Sequence, residues 1–172
     1  MRFVESLKEG LELIKLNREA YPRVAGNPAA FSWALLITAL AGVAGGLSPG
    51  SIGSAGFLWM PVVAVIGLFV GSAIIHVLAG LFGGKGDLTG LIRILGLSNL
   101  LGWAGIIPFV GWLVSLWIYA VLFVSLREHY KLDALKAVIV MLIPLAVLMV
   151  FAVFFGLAAI MALFAGGALK AD

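Results

Sequence analysis

Cysteine is absent from the 172 residues, so the chain can build neither a disulfide framework nor a thiolate metal site. Charge is scarce: Asp, Glu, Lys and Arg make up 11% of the residues, against about 25% in soluble domains. Too few polar groups remain to coat a globule in water. The apolar stretches show no period of two, which excludes a lipid-facing barrel. There is no His-Glu-x-x-His, no pair of intramembrane aspartates and no Ser/His arrangement at related depth. No enzyme reading therefore has residues to stand on, and no cofactor is expected. Residues 1–23 carry scattered charges and no uninterrupted apolar core, so they do not read as a signal peptide.

What is present is apolar. Hydrophobic residues reach 63%, in long uncharged runs of Leu, Val, Ile, Ala and Gly. Runs of that length read as membrane spans, and only helices can satisfy their own backbone in hydrocarbon. The expected fold is an all-α integral membrane protein with five transmembrane helices, preceded by an amphipathic interfacial helix. Residues 1–26 form the cytoplasmic amphipathic segment and 27–166 the membrane domain, with spans at about 28–47, 59–82, 88–107, 109–126 and 135–165. Residues 167–172 are a short tail. In residues 2–20, Phe3, Leu7, Leu11 and Ile14 recur at helical spacing, with Arg2, Lys8, Lys15 and Arg18 among the polar positions.

Asn27-Pro28 caps the first span, and 48–56 is an uncharged Gly/Ser/Pro loop. In the second span, Val63, Ile66, Val70, Ile74, Val77 and Leu81 share one sector at about 100° per residue, so they should face lipid. Gly67, Gly71, Ser72, Gly80 and Gly84 are the expected helix-packing positions. The third span holds Arg93, Ser98 and Asn99 among four glycines, and a re-entrant helix is its alternative. Pro144 should kink or tilt the long fifth span. Ten of the eleven lysines and arginines fall on one side of a five-span arrangement, and only Lys170 falls on the other. That places the N-terminus in the cytoplasm and the C-terminus outside.

The stretch from His76 to Arg93 concentrates the polar candidates. Gly83-Gly84-Lys85-Gly86-Asp87 lacks the spacing of a phosphate loop, and Asp87 reads as the N-cap of the next helix. His76 and Arg93 are equidistant from this turn. Arg93 can snorkel to phosphates or reach Asp87. His76 has two readings, a hydrogen bond between helices or a proton carrier. Asn99 either bonds across a helix pair or lines a polar path. One buried histidine without an acidic partner is too few ligands for a metal. The second turn, Arg127 to Asp133 with His129 within it, is a mixed-charge connector whose cations can meet anionic headgroups. Nothing points to nucleic acid.

Taken together, His76, the Gly83–Asp87 turn, Pro108, Trp117 and the run His129-Tyr130-Lys131-Leu132-Asp133-Ala134-Leu135-Lys136-Ala137 resemble the Yip-domain family of five-span proteins, named for binding Ypt/Rab GTPases. The resemblance covers about residues 10–165. It implies a cytoplasmic N-terminus, five spans and a tendency to self-associate. The N-terminal region is shorter than in eukaryotic relatives, which act in vesicle trafficking, and no Asp-Leu-Tyr-Gly-Pro segment is present. In these respects the chain is more similar to the prokaryotic branch, which has no Rab GTPases. The expected location is the plasma membrane, or an endomembrane in a eukaryote. The expected role is non-enzymatic, as a membrane-organising or scaffold protein whose protein partner the sequence does not name. The alternative is a small transporter, channel or lipid-translocating protein with a polar path near His76 and Asn99.

Overall fold

The structure is a computed structural model that describes residues 2–47, 56–107 and 110–168. Of the expected loop at 48–56, all but Gly56 lies outside the described residues, as do Pro108, Lys170 and most of the short tail. Seven α-helices and one 3-10 segment follow in order: α1 Phe3–Ile14, α2 Ala20–Ala25, α3 Ala30–Leu47, α4 Gly56–Leu81, α5 Leu88–Ser98, the 3-10 segment Asn99–Ile106, α6 Val110–Glu128 and α7 Ala134–Ala168. There is no strand among the described residues. The protein is an all-α integral membrane protein, and among the described residues four helices (α3, α4, α6 and α7) are long and apolar enough to cross a bilayer.

The third expected span is where the structure departs most from a plain helix. It is α-helical to Ser98 and then tightens into eight residues of 3-10. Such runs rarely exceed about four residues, and close packing accompanies this one. A Cβ at Gly96 would lie 2.6 Å from the Ala34 Cβ, and one at Gly102 would lie 2.8 Å from the Ala41 Cβ. These two contacts show α5 and the 3-10 segment running parallel to α3. The α4 helix runs antiparallel to α3, since Phe31 meets Phe69 while Gly42 meets Met60 and Pro61.

The N-terminal region, expected as one helix over 2–20, breaks in two. Leu16 takes a left-handed φ of 60°, with the Asn17 amide bonded to the Glu12 carbonyl and the Leu16 amide to that of Leu13. This pair is a Schellman ending. The same ending closes α4, where Gly83 sits at φ 86° and the Gly84 amide bonds the Ala79 carbonyl. Glycine reaches that region without strain.

The α4 wheel is as its spacing predicts on one side. Val63, Ile66, Val70, Ile74, Val77 and Leu81 are all exposed on the single chain. On the other side a correction is needed. Within the chain, Gly67, Gly71 and Gly80 pack against nothing, because a Cβ at any of them meets no atom within 4 Å. Of the expected glycines Gly84 is the one closely approached, by the Tyr130 ring, and other tight approaches fall at Gly42 and Gly96. Helical spacing locates a small-residue face, but which part a neighbour covers depends on where that neighbour crosses. The α7 helix joins the bundle through Ala137 and Val140, both buried. Past Pro144, Val147 to Phe155 are exposed on every side.

This packing makes the glycines unequal. Gly42→Ala should cost about 1–3 kcal/mol, since a Cβ would sit 2.6 Å from the Met60 carbonyl oxygen. Gly71→Ala should be close to neutral. Thermal melting of the two purified variants checks the order, and equal losses would refute the packing.

Candidate functional site

One end of the bundle gathers most of the polar candidates, and we call it the latch end. There the α4–α5 turn is clamped to the α6–α7 turn. Asp87 caps α5 by accepting from the Gly90 amide at 2.7 Å and the Thr89 hydroxyl at 2.5 Å. His129 lies against it, with Nε2 3.0 Å from the Asp87 carbonyl oxygen and 3.4 Å from its Oδ1. Tyr130, fully buried, sets its hydroxyl 2.8 Å from His76 Nδ1 and 3.4 Å from the Asp87 carbonyl. The Lys85 amide donates to the Tyr130 carbonyl at 3.0 Å. The glycines of the turn let the rings in: a Cβ at Gly86 would meet the Tyr130 ring at 2.9 Å, and one at Gly90 the His129 ring at 2.6 Å.

Charge in this cluster is held by geometry. Burial works to raise the Asp87 carboxyl, but the Thr89 hydroxyl, the Gly90 amide and His129 outweigh it and hold it below the usual carboxylate range. Burial, helped by the Asp87 charge, pushes the Tyr130 phenol up. It is therefore a neutral hydroxyl at ordinary pH. The cluster offers hydrogen bonds that lock two turns together; it contains no activated nucleophile.

The other candidates go elsewhere. Arg93 does not reach Asp87; its Nη1 donates to the Ala25 carbonyl at the end of α2. A cation there complements the helix C-terminus. Ser98 bonds the Ile94 carbonyl at 2.8 Å within its own helix. Asn99 donates to the Thr38 hydroxyl at 2.9 Å. Asn99 also lines a cavity of about 710 Å³ between α3, α4, α6 and α7, and His76 is not on that wall. The expected path joining His76 to Asn99 is thus split between two places. Lys85 is exposed at the latch, and Gly84 packs on the Tyr130 ring.

The sequence reading missed Tyr130 as a bonding residue, along with Tyr21 and Trp117. Tyr21 donates to the Leu13 carbonyl at 2.9 Å, and Trp117 Nε1 to that of Ile14 at 2.7 Å. The available signal was an aromatic carrying a polar tip beside a membrane helix, which reads equally well as an interfacial anchor.

With this clamp between the 83–87 and 129–132 turns in view, a family model decides the kinship. The model described as the Yip1 domain matches residues 12–168. The chain belongs to the Yip1 domain family. No curated protein and no solved structure matches it. The Yip1 domain thus takes in part of α1, the four long helices, the α5 segment and both clamped turns.

Two outcomes test the clamp in this Yip1 domain. Tyr130→Phe should cost about 1–2 kcal/mol in melting experiments, because it strips the hydroxyl bonded to His76. For Asp87 the sign follows from its lowered value. Its ionised form adds stability above the unfolded carboxylate value of about 3.9, and that is lost as pH falls through the folded value. Melting in detergent from about pH 6 downward should show wild type losing stability relative to Asp87→Asn. Parallel pH curves would remove Asp87 from the clamp.

Proposed function

We propose that this Yip1-domain protein organises the membrane by holding an amphipathic helix at depth in one leaflet. The observation that carries the reading is the position of α1. It crosses the bundle rather than capping it. Phe3 packs at a tilt against Trp33 of α3 with ring centroids 5.3 Å apart, Gly10 lies on the Leu97 carbonyl of α5, and Ile14 accepts from Trp117 of α6. Trp117 is eleven residues from Glu128 at the latch end of α6, about 16 Å by helical rise.

The faces of α1 support an interfacial role. Ser6, Gly10 and Leu13 are buried against the bundle. The apolar stripe of Phe3, Leu7, Leu11 and Ile14 is centred about 90° away, by helical geometry. Phe3, Val4 and Leu11 are exposed. Glu9 pairs with Arg23 of α2 at 2.7 Å, and α2 ends beside Arg93, on the latch side of Leu97. The charged side of α1 therefore faces the latch end, and the apolar stripe faces the middle of the bundle. A helix so fixed pushes apolar side chains among acyl chains and draws headgroups toward its charges.

In this reading the latch end faces the cytoplasm, where Lys85, Lys131 and Lys136 meet anionic headgroups. The role is non-enzymatic, and self-association belongs to the proposal without being required by it.

Liposomes containing phosphatidylglycerol, with and without the purified protein, test the idea through vesicle diameter and shape in electron cryomicroscopy. Wild type should give smaller or tubulated vesicles. Leu11→Glu and Val4→Glu alter exposed positions and should abolish the effect while leaving helicity and melting unchanged. Unaltered vesicles with correctly folded wild type would sink the proposal.

A further inference from the structure

The clamp and α1 leave unused a cavity of about 710 Å³. It lies in the size range of small-molecule sites, about 300–1,000 Å³. Its lining includes Met60, Ala64 and Leu68 of α4, Ile118 of α6 and Pro144 of α7, and no lining residue is charged. A charged headgroup would find no partner inside, so the occupant's buried part is neutral.

Ser72 distinguishes this wall from a mere gap between helices. Ser98, Ser115 and Ser125 each bond the carbonyl four residues back, at 2.8, 3.0 and 2.7 Å. Ser72 does not. It is 1% exposed, lines the cavity, and its hydroxyl has no hydrogen-bond partner. Asn99 and Thr38, on the same wall, are already bonded to each other. A hydroxyl left unpaired in a low-dielectric interior costs about 1–3 kcal/mol, and a ligand that bonds it recovers that cost.

The shape narrows the class further. Along α4 the lining runs from Met60 to Ile75, about 22 Å by helical rise, with about 18 Å of it between Met60 and Ser72. One leaflet's hydrocarbon is about 15 Å deep. Gly67 and Gly71 keep this stretch open, since a Cβ there meets nothing within 4 Å. The slot is one chain long, and its volume is small for a second helix about 10–12 Å across. We propose that the cavity binds a neutral single-chain lipid whose hydroxyl or carbonyl bonds Ser72 and whose tail runs along α4 toward Met60.

The test uses the full-length protein in liposomes and a long-chain primary alcohol with a diazirine near its tail end. A phosphatidylcholine with the same diazirine in one acyl chain serves as the comparison. After irradiation the alcohol should label the Met60–Ala64 stretch. Labelling should fall about tenfold in Ser72→Ala, the loss of one hydrogen bond, and vanish in Gly71→Phe, whose ring fills the slot. Gly67→Phe repeats the block from a second position, and Gly71→Ala should label like wild type. Three results would overturn the proposal. They are equal labelling of Val63, Ile66 and Val70 in every variant, phosphatidylcholine labelling the slot as strongly with no effect of Ser72→Ala, or crosslinks showing α7 of a second copy in the slot.

Discussion

Peptide carbonyls at helix ends have no partner within their own helix, and in or near hydrocarbon water does not supply one. That constraint organises the half of the molecule nearest the latch. The last carbonyls of α1 are taken by Tyr21 and Trp117. The end of α2 is taken by Arg93. The Asp87 carbonyl, which already accepts the Leu91 amide at the start of α5, is also met by His129 and Tyr130. In each case a carbonyl near the end of one element is met by a long side chain from another. The donors that satisfy the backbone are the same contacts that tie the elements together, so the polar bonds of this half are also its tertiary structure.

Helix class and the places of the four long apolar helices were legible because hydropathy acts over twenty residues at a time. The α4 lipid face was legible because six aliphatic residues from Val63 to Leu81 share one sector. Asp87 as a cap could be read from its place between a glycine turn and an apolar run. Other features depended on partners distant in sequence. Arg93 was assigned to Asp87 or to phosphate, yet it meets Ala25, sixty-eight positions away. Gly67 and Gly71 look like packing glycines and Gly42 has no special spacing, but Met60 and Pro61 cross at Gly42. The left-handed Leu16 has no glycine to announce it. The 3-10 segment was unreadable because close approach to α3 accompanies it, and local propensity does not report that. Kinship was more legible than mechanism, since family resemblance rests on the whole run of spans and turns.

The two halves of the bundle differ in kind. Toward the latch end, α1, α2, α3, α5 and α6 pack around Leu13, Tyr21, Ile94, Leu97 and Val121, all fully buried. A second cluster, around Tyr130, Leu126 and Val140, brings in α4 and α7. Away from that end α3 still holds α4 and the 3-10 segment closely, at Gly42 and Gly102, and it is α7 that separates. The α7 helix leaves the bundle after Pro144, and the wall between α4 and α7 becomes the cavity. More protein cross-section therefore lies toward the latch end than away from it.

That asymmetry ties the proposed roles to one cause. The short α1–α2 hairpin adds protein mass to one leaflet and places charges on its latch-facing side. The same hairpin shares a core with α3, α5 and α6. Nothing equivalent draws α7 inward past Pro144, so Gly67 and Gly71 of α4 are left exposed, with Ser72 buried in the wall beside them. Where α7 leaves the bundle a gap opens beside α4, and in a membrane that gap takes an apolar chain that fits it. The wedge and the slot are two consequences of placing the side-chain fastening bonds toward the latch end.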